Sequence, residues 1–361
     1  MRLSGAVSVG LTGCIAATAF FLGAGWASPR PDSGEAAYQQ YCAACHAHPG
    51  PRIPSRSSLQ KLSVARILHT LDFGVMMGIA YPLQRSQREA VARFLGVPGV
   101  ENGPSPAAFC SSREFSLAAG SPANWSGWSP SPANTRFQPA VQADLTATQV
   151  RNLKLKWAFG FEGDITPFAA PTVMADVLFV GSASGVIHAM NAKTGCLYWT
   201  FQADGPVRAA TLVVIALRIS DGSVIWKSYT VPPLKKTGVN SVGTPQYGPS
   251  GAGIWSAPTI DSKRGVLYIT TGDNYSQPAS KTSDAVLALN LKSGQIVWTR
   301  QMTAGDVWSG GACPDDNSPC GPDFDFGSSA LLLSLQGRDI LVAGQKSGVV
   351  SGRLTTSETV A

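Results

Sequence analysis

The chain has 361 residues, with 28 Lys and Arg against 22 Asp and Glu, and so a formal net charge of +6. Charged residues make up only 14% of the sequence and form no basic run, which excludes the electrostatic footprint of a nucleic-acid-binding protein. The high glycine (38) and proline (25) content favours short strands and turns over helices for most of the length.

In chain order, residues 1–27 read as an export signal. Arg2 supplies the positive end, the run from Ala6 to Gly23 the apolar core, and Gly25-Trp26-Ala27 the small residues for cleavage. The run is interrupted by Thr and Gly and followed by Pro29 and Pro31, so no stable transmembrane segment is expected after cleavage. Leu11-Thr-Gly-Cys14 also resembles a lipobox, a second choice because the apolar run continues past Cys14. Export to the periplasm is the expectation.

Residues 28–95 form the first domain. Cys42-Ala-Ala-Cys45-His46 places two thiols two residues apart with an imidazole directly after them. That spacing suits thioether attachment of a haem, with His46 as the proximal iron ligand. A redox CxxC would sit in a βαβ context, and a zinc site would need a second ligand pair; neither follows. Helices are expected over Glu35 to Tyr41, Leu62 to Leu71 and Arg88 to Leu95. The second would carry Leu62, Ala65, Ile67, Leu68 and Leu71 as an apolar stripe, and the third would turn Ala90, Val91, Phe94 and Leu95 inward. Between them lies Gly74-Val-Met-Met-Gly78. Helix, haem motif, methionine loop and terminal helix is the order of a small all-α cytochrome c domain, which this stretch resembles. The resemblance implies Met76 as the sixth iron ligand, with Met77 as the rival.

Residues 96–106 are rich in Gly and Pro and read as a linker. From Ala107 to Ala361 the chain repeats itself. Leu178 to Trp199 is a strand, a glycine turn, a strand, a Thr-Gly turn and a strand ending in Trp. The unit returns from Val266 to Trp298, in a shorter copy from Ile215 to Trp226, and in part from Leu341 to Val350. Such repeats signal an all-β propeller. The closing Trp of each unit can pack between blades and tie them with its indole N–H.

The repeats, Asn134-Thr-Arg-Phe137, Leu153-Lys-Leu-Lys-Trp157, Gly321-Pro-Asp-Phe-Asp-Phe-Gly327 and Gly344-Gln-Lys-Ser-Gly348 resemble the pyrroloquinoline quinone (PQQ) dehydrogenase propeller. With a cytochrome domain ahead of it, the chain is most similar to the polyvinyl-alcohol dehydrogenase (cytochrome) family, whose propeller has eight blades. The resemblance implies a floor for the quinone at Trp255, a Ca²⁺ ligand at Asp273, a catalytic base and further ligand at Asp306, and a cation against the quinone oxygens at Lys346. Each has a plainer structural alternative: a core Trp, an Asx turn, a loop aspartate and a surface turn lysine. The implied chemistry is oxidation of an alcohol by hydride transfer to PQQ. Electrons would then pass to haem c and on to an acceptor such as a cytochrome or terminal oxidase. The even count of Cys110, Cys196, Cys313 and Cys320 in an exported chain suggests two bridges. Cys313 is expected to pair with Cys320 across a short loop holding Pro314 and Pro319. Cys110 is assigned to Cys196 by elimination and by the family's cysteines at these places.

Two departures temper that expectation. Trp157 to Trp199 spans about 42 residues, a normal blade period, but Trp199 to Trp226 spans only about 27. The family's calcium-binding Glu has no counterpart after Val207-Arg-Ala-Ala210. The polar tail from Ser351 to Ala361 is unlike a blade, so the propeller is expected to be incomplete and PQQ binding weak or absent. A non-catalytic haem electron carrier with a degenerate propeller scaffold is therefore the alternative function, and a decayed gene product a third.

Overall fold

The computed structural model describes residues 33–355 except 73, 100–102, 118–123, 126–128, 162–163, 165–168, 205–206, 208–212, 240–244, 255 and 309–319. The export signal, Trp255 and Cys313 lie outside these residues. No helix among the described residues is long and apolar enough to cross a membrane.

Six short helices come first: α1 (Gly34–Tyr41), α2 (Ala43–His46), α3 (Arg56–Leu59), α4 (Val64–Asp72), α5 (Met77–Ala80) and α6 (Arg85–Leu95). The Ser33 hydroxyl caps α1 by accepting from the Ala36 amide at 3.1 Å. The third long helix begins three residues before the expected Arg88, because Gln84 and Gln87 form a reciprocal cap at its start. Tyr38, Ile67, Leu71, Val91 and Leu95 meet in one buried core. Gly34 is required where α1 crosses α6, since a Cβ there would lie 2.1 Å from the Ala90 carbonyl oxygen. One stripe residue was misplaced. Ala65 is exposed, because two residues before Ile67 on a helix is about 200° round the axis, the solvent side.

After a 3-10 turn (Pro106–Ala108) and two short helices (Ala140–Ala143 and Ala147–Val150), the strands of the remainder form antiparallel sheets. A five-stranded sheet runs β1 (Asn124–Trp125), β2 (Thr172–Met174), β3 (Val177–Gly181), β4 (Val186–Asn191) and β5 (Leu197–Gln202), each strand beside the next. Then come two two-stranded ribbons, β6 (Val213–Leu217) with β7 (Val224–Tyr229) and β8 (Lys235–Val239) with β9 (Pro245–Gly248). Next, β10 (Ser250–Gly251) pairs with β13 (Asn274–Ser276). A four-stranded sheet is built from β11 (Thr259–Asp261), β12 (Val266–Thr270), β14 (Ala285–Asn290) and β15 (Ile296–Gln301). Finally β16 (Leu331–Leu335), β17 (Arg338–Gly344) and β18 (Val350–Leu354) form a three-stranded sheet.

These sheets follow one another as propeller blades, and the repeat tryptophans join them. Trp157 Nε1 donates to the Ala192 carbonyl at 3.1 Å, Trp199 to Ile219 at 2.9 Å and Trp226 to Leu291 at 3.2 Å. Each indole covers the turn glycine of the following blade. At Gly195, Gly222 and Gly294 φ is positive and a Cβ would strike the ring within 2.8 Å, so both backbone and space demand glycine. The strands β12 and β14 are buried on both faces. Val266, Tyr268, Val286 and Ala288 pack toward Leu341 and Ala343 of the following blade. Leu267, Ile269, Leu287 and Leu289 pack toward Val214 and Trp226 of the preceding one. A strand between two blades has no solvent face, hence its unbroken apolar run. The shortened repeat is a shortened blade: β6 and β7 pair only with each other among the described residues.

Two ties fix the start of the propeller, one within it and one to the helices. The Cys110–Cys196 disulfide joins the stretch after the linker to the turn before β5, and the Cys110 amide donates to the Leu197 carbonyl at 2.8 Å. His69 Nε2 on α4 lies 3.0 Å from Asp164 Oδ1. Cys320 is disulfide-bonded as well.

Candidate functional site

A largely apolar cavity of about 580 Å3 opens among the helices, and Cys42, Cys45, His46 and Met76 all line it. The turn from α1 into α2 places both cysteines on its wall, as free thiols. His46 is 9% exposed and its Nδ1 meets the Pro54 carbonyl at 2.8 Å. A carbonyl only accepts, so Nδ1 carries the hydrogen and Nε2 keeps the lone pair a metal needs. Burial, and then the neighbouring Cys45, pushes the Cys42 thiol up, which disfavours a reactive thiolate and with it a redox pair. Met76, at the N-cap of α5, lines the cavity; Met77 is 47% exposed and does not. Two unpaired thiols, an oriented imidazole and a thioether around one apolar cavity fit a covalently bound haem.

The second constellation lies where three blade loops converge. Asp273 follows β12, Asp306 follows β15, and Asp323 and Asp325 precede β16. Asp325 Oδ1 accepts the Asp273 amide at 2.7 Å, and Lys346 Nζ donates to Asp325 Oδ2 at 2.6 Å and to Asp323 Oδ1 at 2.8 Å. One carboxylate oxygen from each of Asp273, Asp323 and Asp325 lies within 4.8 Å of the others. Asp273 is 2% exposed and its Oδ2 has no partner among the described residues. An orphaned, buried oxygen amid other carboxylates fits a hard divalent cation such as Ca²⁺. Asp306 is turned elsewhere. Its Oδ2 accepts the Phe324 amide at 2.9 Å and its Oδ1 the Asp323 amide at 3.3 Å. Gly321 permits this, since a Cβ there would sit 2.0 Å from Asp306 Oδ1.

Electrostatics follow from this crowding. Burial, then contact with Asp325 and the charges of Asp323 and Asp306, pushes Asp273 up to about 8. Burial would raise Asp325 too, but the Lys346 ammonium and the Asp273 amide outweigh it and hold Asp325 below the usual carboxylate range. Lys346 is held above its ordinary value, because its two carboxylate partners more than offset its desolvation. A further carboxyl, Asp284, is fully buried with neither oxygen partnered among the described residues, and burial followed by the charge of Asp306 raises it to about 8.

The structure thus brings Asp273, Asp306 and Lys346 to one place, and likewise Cys42, Cys45, His46 and Met76. Trp255 lies outside the described residues. The sequence reading passed over Asp323, Asp325 and Asp284. The Gly321-Pro-Asp-Phe-Asp-Phe-Gly327 segment was a visible signal for the first two, whereas nothing local marks Asp284.

Residues 206–311 match the PQQ family of glucose/ethanol/alcohol dehydrogenase β-propeller domains. A polyvinylalcohol dehydrogenase of Pseudomonas sp is 31% identical over 89% of this chain and 65% of its own length. A polyvinylalcohol dehydrogenase of Sphingopyxis sp. (strain 113P3) is 28% identical over 88% of this chain and 64% of its own. The chain therefore spans a little less than two thirds of these relatives. The solved quinohemoprotein alcohol dehydrogenase ADHIIG of Pseudomonas putida HK5 superposes with a TM-score of 0.38 at 20% identity, covering 54% of this chain and 35% of that one.

Proposed function

We propose, on the premise that this chain belongs to the polyvinylalcohol dehydrogenase family, that it is a periplasmic quinohaemoprotein oxidoreductase acting on polyvinyl alcohol-like or other secondary alcohols. The observation that carries this is the trio of Asp273, Asp323 and Asp325 beside Lys346, with the buried Asp273 Oδ2 left unpartnered. When bound there, PQQ supplies a carbonyl carbon that accepts hydride from the alcohol. Asp273, Asp323 and Asp325 would hold Ca²⁺, and Lys346 would stabilise negative charge on quinone oxygens. Asp323 is the half-buried carboxylate of the cluster and would take the hydroxyl proton. Asp306, the base put forward from the sequence, here positions the 323–324 backbone through its two amide bonds. Cys42 and Cys45 would anchor haem c, with His46 and Met76 on the iron, to pass electrons singly to an external acceptor.

The two-stranded β6–β7 blade and the missing Glu favour a second reading, a haem electron carrier whose propeller does no chemistry. Titration of the chain with PQQ in excess Ca²⁺, followed by a dye-linked assay on secondary alcohols, separates the two. Turnover that disappears in Asp323→Asn supports the oxidoreductase. A covalent haem spectrum without PQQ uptake or turnover supports the carrier.

A further inference from the structure

Among the described residues, those lining the haem cavity come from positions 41–95 with one addition, Asp164, which reaches it from the propeller. Its side chain is 2% exposed. Oδ1 lies 3.0 Å from His69 Nε2 on α4, and Oδ2 accepts the Ser184 hydroxyl at 2.7 Å. Ser184 is held in turn by Ser182 at 2.9 Å, in the turn between β3 and β4. Both carboxylate oxygens are thus fixed, one by each side of the junction, so the group cannot swing to solvent without breaking a bond to the helices or to the first blade. The cations on the same cavity wall are Arg52 and Arg66.

We propose that Asp164 is the propeller's contribution to the haem site. It docks α4 onto the first blade through His69, and its charge holds the haem reduction potential down. The inference rests on the haem assignment above. A carboxylate fixed beside an apolar cavity acts through a dielectric lower than water's, so its repulsion of an electron added to the haem is screened less than a surface charge's, with Arg52 and Arg66 opposing it. A carboxylate serving only as a spacer would leave the potential alone once replaced by its isosteric amide.

The test uses the holoprotein. Asp164→Asn keeps the shape and removes the charge, and spectroelectrochemical titration should show the midpoint potential shifted upward with the low-spin spectrum unchanged. His69→Ala keeps the charge and removes the dock. Thermal unfolding of the haem unit, followed at the Soret band, and of the propeller, followed by tryptophan fluorescence, should coincide in the parent and part in this variant. A covalent haem whose potential is unmoved in Asp164→Asn overturns the inference while leaving the haem assignment standing, as do coincident melts in His69→Ala. Haem that extracts into acidified acetone from the parent overturns both.

Discussion

Replacing Asp284 by Asn should flatten the pH dependence of the propeller's stability. The side chain is fully buried, neither oxygen is partnered among the described residues, and φ is +46°, a conformation Asn tolerates better than other residues of its size. Burial, then the charges of Asp306, Asp273, Asp325 and Asp323, raises the carboxyl to about 8, whereas in the unfolded chain it titrates near 3.9. The folded state therefore keeps a proton that the unfolded state has released. Stability from this group is whole below about pH 4, declines as pH rises, and is lost above about pH 8. Some four pH units at 1.36 kcal/mol each set a ceiling of about 6 kcal/mol. Water entry and the parallel titration of Asp273 bring the expectation to roughly 3 kcal/mol. Urea unfolding without divalent cations, followed by tryptophan fluorescence, should find the Asn variant close to the parent at about pH 5 and more stable by that roughly 3 kcal/mol at about pH 9. Parallel stability profiles for the two proteins would refute the assignment of an ionisation penalty to Asp284.

Met76→Ala should convert the haem from low spin to a high-spin or ligand-exchanged spectrum, and Met77→Ala should leave it unchanged; the visible spectrum decides, and the opposite pattern would show the loop seated differently. Leu287→Ala, in a fully buried position between two blades, should cost about 2–5 kcal/mol in urea unfolding, with no effect on the haem spectrum.

Much of this architecture was legible from local pattern. That Cys42, Cys45 and His46 line one cavity follows from their spacing, because these neighbouring residues share one short helical turn. The blades announced themselves through repeated turn glycines and closing tryptophans, because each of Gly195, Gly222 and Gly294 must pass beneath an indole at positive φ. The three longer helices, α1, α4 and α6, were legible too, though Ala65 faces solvent and α6 starts early, since caps and helical phase are set by a few side chains at the ends.

Other features depend on loops far apart in sequence and only the tertiary structure decided them. Met76 and Met77 are equivalent by chemistry and differ only in which one the start of α5 turns into the cavity. Asp306 and Asp325 both lie in loops between strands. Only the close approach permitted by Gly321 gives Asp306 to backbone amides and leaves Asp325 to Lys346 and the Asp273 amide. Asp164 meets His69 across 95 positions, a contact with no local signature. The sequence alone determined the blade repeats and the Cys42 to His46 cluster, because blade turns and closely spaced motifs are short-range constraints. Which carboxylate faces a cation, which one faces an amide and which one joins the two domains was decided by the packing of blade on blade, where burial and a few ångströms of approach set the charge of each group.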